Sequence, residues 1–237
     1  MIDLIKGDCL EIMKSIPSGS IDAIITDPPY GTTACKWDSV INLELMWKQL
    51  KRIIKPNGAI VLFSAQPFTS ALVMSNPKMF KYDWVWKKNR GTGHLNAKKQ
   101  PMRDKEDIIV FYKKQCKYNP QGLIDGVFNN DRPAKNRGRL ELYSNEKNFG
   151  KSNKGGYPKQ VLEFDKIPTQ KCLHPTQKPV ALMEYLIKTY TNEKETVLDF
   201  TMGSGSTMVA AKNLNRSFIG IEQDENYFNI AKERINE

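Results

Sequence analysis

The 237-residue chain is poor in the residues that most often mark metal and disulfide chemistry. Its four cysteines, Cys9, Cys35, Cys116 and Cys172, are scattered with no C-x-x-C spacing, which argues against a zinc cluster and against a disulfide framework. Only two histidines occur, His94 and His174, and neither H-E-x-x-H nor a Ser/His/Asp pattern accompanies them. Metallohydrolase and serine-hydrolase chemistries therefore find no support, and no metal site is expected. No apolar run reaches the roughly 18 residues a membrane-spanning helix needs. The opening residues, MIDLIKGDCLEI, lack a basic-then-apolar export pattern, so a cytoplasmic location is expected. With 40% hydrophobic and 10% aromatic residues the chain can bury a core, as one domain with a sizeable insertion or as two small ones.

Charge is unevenly spread. Lys and Arg number 36 against 26 Asp and Glu, a net of +10. Residues 87 to 171 hold 20 basic and 9 acidic side chains, a net of +11, while the other 152 residues balance to −1. A localised basic surface suits a polyanion, because each cation near a phosphate releases condensed counterions. A solvated lysine-rich face has the same composition, so charge alone leaves both readings open.

Short β-branched runs alternate with amphipathic stretches, the pattern of a parallel sheet with crossover helices. Strands are predicted at 21–26, 59–63, 82–86, 108–112, 196–200 and 218–222. Helices are predicted at 43–54, ended by Pro56-Asn57-Gly58, and at 67–74, 179–190, 206–214 and the carboxyl end. In the last helix Tyr227, Phe228, Ala231 and Ile235 share one face and read as core. Residues 113 to 173, rich in Asn, Lys, Gly and Pro, interrupt the alternation and read as an insertion in one doubly wound α/β domain spanning 1–237.

In such a sheet ligands bind beyond the carboxyl ends of the strands. After the strand at 196–200 comes Asp199-Phe200-Thr201-Met202-Gly203-Ser204-Gly205-Ser206-Thr207, a glycine turn that lets backbone approach a ligand closely. The next strand ends at Glu222, about 20 residues on, where an acid can take both hydroxyls of a ribose. The turn has neither G-x-G-x-x-G spacing nor a Gly-Lys-Ser/Thr ending, which favours an uncharged adenosine over a phosphate. Directly after the strand at 21–26 stands Asp27-Pro28-Pro29-Tyr30. Two prolines fix their φ angles and remove two donors, leaving a carboxylate and a carbonyl rigidly spaced to receive an NH2 group. Tyr30 adds a flat face for stacking. An ordinary Pro-Pro turn with a capping Asp would read the same way in isolation.

Together these residues resemble the S-adenosylmethionine-dependent amino methyltransferases of DNA. Asp27 to Tyr30 is similar to that family's catalytic motif, and Asp199 to Thr207 to its cofactor loop, D-P-F-x-G-S-G-T. The catalytic motif precedes the basic segment and the cofactor loop, the permuted order of the family's β group. Gly7-Asp8-Cys9-Leu10-Glu11 resembles the segment lining the cofactor adenine, and His174-Pro175-Thr176-Gln177-Lys178-Pro179 the one preceding the cofactor loop. Phe200 and Thr201 depart from the pattern, standing where the family has Pro and Phe.

The resemblance implies a Rossmann-like methyltransferase fold with a mainly parallel seven-stranded sheet and a target-recognition insertion at 113–173. It implies catalytic roles for Asp27, Pro28, Pro29 and Tyr30. Asp8 and Cys9 would meet the cofactor adenine, Glu222 the ribose, Asp199, Gly203, Ser204 and Gly205 the methionine end, and Lys178 its carboxylate. The expected partner is double-stranded DNA, with a homodimer left open, and Arg132, Arg137 and Arg139 are candidates for guanine contacts. Asp27 favours adenine as the target, since cytosine 4-amino relatives more often carry Ser there. A cytosine enzyme, an RNA or protein-amide methyltransferase, and a catalytically silent nucleic-acid-binding module are the competing readings.

Overall fold

Alternating burial along the strands explains why the chain builds a sheet covered on both faces. Ala23 and Ile25, Val61 and Phe63, and Ile108 and Val110 enter one apolar cluster, while Ile24, Ile60, Leu62, Ile109 and Phe111 enter the other. The computed structural model describes residues 1–31, 39–129, 151–168, 170, 172–174 and 176–235, so Cys35, Arg132, Arg137 and Arg139 lie outside the described residues. These residues form two compact units, Met1–Asn119 with Gln160–Glu237, and Pro120–Lys159.

The larger unit contains β1 (Ile2–Lys6), α1 (Cys9–Ile12), β2 (Ile21–Thr26), α2 (Leu43–Ile53), β3 (Ile54–Ser64), α3 (Phe68–Ser75), β4 (Phe80–Thr92) and β5 (Arg103–Phe111). In the smaller unit the described strands β6 (Ile124–Asn129) and β7 (Lys151–Gly155) pair antiparallel, Ile124 with Gly155 and Asn129 with Lys151. The larger unit resumes with β8 (Val161–Glu163), α4 (Val180–Tyr190), β9 (Thr196–Asp199), α5 (Ser206–Asn213), β10 (Ser217–Glu222) and α6 (Glu225–Ile235).

The large sheet runs β1-β10-β9-β2-β3-β5-β4-β8, with β5 alone antiparallel to its neighbours. It has eight strands where seven were expected. The additional edge strand is β8, whose three residues pair in parallel with Val85–Lys87; the sequence there looked like unstructured insertion. The sequence does not mark β1 either, because Ile2–Lys6 alternates only weakly and finds its place by pairing with Phe218–Glu222. Pro56-Asn57-Gly58 does not separate helix from strand: α2 ends at Ile53 and β3 begins at Ile54, carrying the three residues within it.

α2 and α3 supply Trp47, Leu50, Phe68 and Leu72 to one face, and α4 and α5 supply Leu186, Tyr190, Met208 and Ala211 to the other. β2 and β9 lie side by side, yet the chain leaves them in opposite directions across the sheet, to β3 and to β10. The carboxyl ends of β2 and β9 therefore bound the crevice in which a doubly wound sheet binds its ligand.

Candidate active site

A cavity of about 380 Å³ is lined by the loops after β1 and β2, the approaches to α2 and α4, the turn between β9 and α5, the end of β10, and single residues of β5 and α6. Asp27, Pro28, Pro29 and Tyr30 line it together with Asp8, Cys9, Lys178, Asp199, Gly203, Ser204 and Glu222. Gly205, expected beside them, is not among the lining residues; it is the amino-terminal cap of α5.

The floor is a hydroxyl network. Asp199, at the end of β9, accepts from Thr26 Oγ1 (2.5 Å), from Thr207 Oγ1 (2.5 Å) and from the Thr201 amide (3.1 Å). Burial pushes its carboxyl up to about 6, against those donors. Thr201 Oγ1 lies 2.7 Å from Thr26 Oγ1 and donates to the Asp27 carbonyl at 3.1 Å. Thr201, one of the two departures from the pattern, thus ties the glycine turn to the Asp27–Tyr30 segment.

The turn itself needs glycine twice. Gly203 (φ +52°) and Gly205 (φ +80°) occupy left-handed backbone, and a Cβ on Gly205 would sit 3.1 Å from the Ala231 Cβ. The Gly203 amide donates to Glu222 Oε2 at 2.9 Å, and the Asp224 amide to Glu222 Oε1 at 2.8 Å, so the carboxylate at the end of β10 is fixed by two backbone donors. Asp8 caps α1, receiving the Leu10 and Glu11 amides at 2.8 and 3.1 Å. Burial pushes the neighbouring Cys9 thiol up to about 12, so Cys9 stays neutral.

Asp27 is held from two sides. Tyr30 Oη donates to Oδ1 at 2.5 Å, and Lys178 Nζ to Oδ2. The Tyr30 ring is stacked on Phe68, with centroids 5.4 Å apart. Lys178 is buried and faces Glu106 Oε2 at 3.3 Å, while Glu106 Oε1 accepts from Lys88 Nζ at 2.5 Å. Lys178 was expected at a cofactor carboxylate; its ammonium here lies between two protein carboxylates.

Glu106 and Lys88 were not read as site residues. In the sequence Glu106 is one of three acids in RDKEDIIVF, with no spacing to set it apart. Tyr227, read as core, lines the cavity instead, its ring 4.0 Å from that of His174, while Ala231 is buried and Phe228 and Ile235 pack on the core. His174 accepts from the Thr176 amide through Nδ1 at 3.2 Å, and burial lowers its pKa to about 4, so it is neutral.

A family model described as DNA methylase, for N6 and N4 amino enzymes, matches residues 21–233. The chain belongs to this DNA methylase family. The methylase is 32% identical over 248 residues to the Type II methyltransferase M.HpaI of Haemophilus parainfluenzae, covering 98% of this chain and 73% of that relative. It is 27% identical over 259 residues to the Type II methyltransferase M1.MboII of Moraxella bovis, covering 97% and 95%. Among solved structures, the crystal structure of an M1.HpyAVI–SAM complex matches with a TM-score of 0.69 and 32% identity over 100% of both chains. The cytosine-N4-specific PvuII DNA methyltransferase shares the fold, with a TM-score of 0.71 and 17% identity over 98% of this chain and 86% of that one. Family membership fixes the class of reaction and leaves the acceptor base to the residues of the site. Among the described residues no helix of the methylase is long and apolar enough to cross a membrane.

Proposed function

We propose that the methylase transfers the methyl group of S-adenosylmethionine to the 6-amino nitrogen of an adenine flipped out of duplex DNA, as a member of the permuted β group. The observation that carries this reading is the opening of Asp27-Pro28-Pro29-Tyr30 into the same cavity as the glycine turn and Glu222. Asp27, in place of the Ser of cytosine 4-amino relatives, favours adenine. The order of catalytic motif, basic segment and cofactor loop favours the β group.

The residues present fit the cofactor. Glu222, fixed by two amides, retains lone pairs for ribose hydroxyls. Gly203 and Gly205 place no side chain at their two positions of the turn, and Asp199 and Ser204 line the cavity beside them. Asp8 and the backbone of Cys9 bound the adenine end. When bound, S-adenosylmethionine supplies an electrophilic methyl on its sulfonium.

The exocyclic amine of adenine is a poor nucleophile because its lone pair is delocalised into the ring. The Asp27 carboxylate and the Pro28 carbonyl accept its two hydrogens, which favours a pyramidal nitrogen with its lone pair directed at the methyl. Tyr30, fixed at its hydroxyl by Asp27 and at its ring by Phe68, is the platform for the flipped base. After transfer the surplus proton leaves through Asp27 or water. Positioning of this kind is worth up to about 7 to 11 kcal/mol in well-oriented cases.

Residues 113–173 serve as the target-recognition insertion, and the basic block as the phosphate-binding surface. On the β4–β5 hairpin Arg90, Lys98, Lys99 and Arg103 are exposed, and none makes an ion pair among the described residues. The test is Asp27→Ala with labelled cofactor and unmethylated DNA. Transfer is expected to fall below detection while S-adenosylmethionine affinity stays within a few fold; full activity would remove Asp27 from the mechanism.

A further inference from the structure

We propose that Lys178 and Glu106 are positioning residues for Asp27, a buried charge network that orients its carboxylate toward the target amine. The proposal deepens the function argued above and rests on it for the identity of the amine.

Four side chains from four separate segments alternate in sign along one chain of contacts, the first three of them lining the cavity: Asp27 after β2, Lys178 before α4, Glu106 on β5 and Lys88 on β4. All four are largely withdrawn from water, with side-chain exposures of 20%, 7%, 16% and 8%. Isolated charges at such depth would be neutralised or would unfold the site, so each depends on its neighbours. Besides the Asp27 and Glu106 carboxylates, the contacts of Lys178 among the described residues are the Thr176 carbonyl at 3.4 Å and the Phe63 ring at 5.1 Å.

The geometry fixes what is left over for chemistry. A carboxylate offers about four acceptor positions. Tyr30 takes one on Oδ1 and Lys178 one on Oδ2, which prevents rotation of the group and leaves a lone pair on each oxygen. Glu106 in turn holds Lys178: Oε2 faces its ammonium without a hydrogen bond, and Oε1 is anchored by Lys88. Glu106 therefore sets how far Lys178 leans on Asp27.

The electrostatics agree. Burial raises the Asp27 pKa, Lys178 opposes that rise, and Glu106 adds to it. Burial works against the charge of Lys178, yet Asp27 and Glu106 keep its pKa above the ordinary value. Burial also pushes Glu106 up, but Lys178 and Lys88 outweigh it and hold Glu106 ionised. Tyr30 from the same loop and Asp199 from β9 also face Asp27, with Asp107 and His174 farther out; Tyr30 stays neutral, its pKa raised by burial.

The experiment follows the Asp27 carboxyl by 13C NMR in aspartate-labelled protein, with Asp27→Asn for assignment, alongside S-adenosylmethionine affinity and the pH profile of single-turnover methyl transfer. Glu106→Gln is expected to move the Asp27 titration, and the acid limb of the profile, to lower pH by half a unit or more. Lys178→Gln is expected to move both to higher pH by at least one unit, to slow transfer at least tenfold, and to leave cofactor affinity within threefold. Glu106→Asp should restore the wild-type titration. If Lys178→Gln fails to fold, the double variant with Glu106→Gln removes both charges together and should titrate above wild type. An unmoved Asp27 titration, or shifts of the same sign in the two single variants, overturns the proposal. So does a tenfold loss of cofactor affinity in Lys178→Gln with Asp27 unmoved, which would return Lys178 to the cofactor carboxylate. The titration needs no methyl acceptor, whereas transfer by the wild type tests the function, so the two claims fail separately.

Discussion

Replacing Thr201 by Val keeps the shape of the side chain and removes one hydroxyl, the one that reaches the Asp27 carbonyl at 3.1 Å and lies 2.7 Å from Thr26 Oγ1. A hydrogen bond of this kind contributes about 0.5 to 1.5 kcal/mol net, and an acceptor left unpaired in a half-buried site costs about 1 to 3 kcal/mol. Thr201→Val should therefore lower unfolding free energy by about 1 to 3 kcal/mol, read as a lower urea midpoint at unchanged slope. The catalytic consequence is separate. The Asp27 peptide loses its tie to the turn, and since displacements near 1 Å cost about 100-fold in rate, a shift of a fraction of that should slow single-turnover methyl transfer about tenfold. Cofactor affinity should change little, because the Gly203 amide and Glu222 are untouched. Thr201→Ser, which keeps the hydroxyl, should behave as wild type in both assays. A valine variant with wild-type stability and rate would refute the claim that this hydroxyl couples the two motifs.

Gly205→Ala should destabilise the methylase more than Gly203→Ala, by about 1 kcal/mol in urea unfolding. Both residues pay for left-handed backbone, but an added Cβ meets Ala231 at 3.1 Å at position 205, against 3.7 Å from the His174 ring at position 203. Asp199 has its pKa raised to about 6, so between pH 6 and 4 the native state binds a proton that the unfolded chain does not; this group stabilises the fold as pH falls, by about 3 kcal/mol across that window. His174, lowered to about 4, acts in the opposite direction, with its contribution present above pH 6.5 and lost as pH falls to 4. Urea unfolding from pH 7 to 4 should thus show Asp199→Asn losing stability in acid more steeply than wild type, and His174→Gln less steeply. Lys98→Gln with Lys99→Gln should weaken DNA binding, reduce the slope of log affinity against log salt by about 2 if both cations meet phosphates, and leave cofactor affinity unchanged.

The segments whose placement could be read from the sequence are those whose backbone constraint is local. Asp27 to Tyr30 and the turn from Asp199 to Thr207 each carry their constraint in consecutive residues, through fixed proline φ angles and left-handed glycines, so their place at strand ends was legible. Glu222 was legible because it ends a strand that follows the turn at a fixed interval. Glu106 and Lys88 were not: their meaning comes from Lys178 and Asp27, which approach only when β5 docks beside β3 and the α4 approach folds over the crevice. Lys178 was recognised and assigned to the cofactor, because a short motif names the residue without its partner. β1 and β8 escaped for a related reason, since both are edge strands whose pairing partners lie far away in sequence. Tyr227 shares a helical face with Ala231, and helical spacing alone does not say that the face runs off the core into the cavity.

The most direct measurement is nucleoside mass spectrometry on unmethylated duplex DNA incubated with the protein and isotope-labelled S-adenosylmethionine. Label is expected in N6-methyladenine, and none when Asp27 is replaced by Ala. Label in N4-methylcytosine would contradict the assignment of Asp27 to adenine, and no label in DNA despite tight binding would contradict the catalytic role of the site.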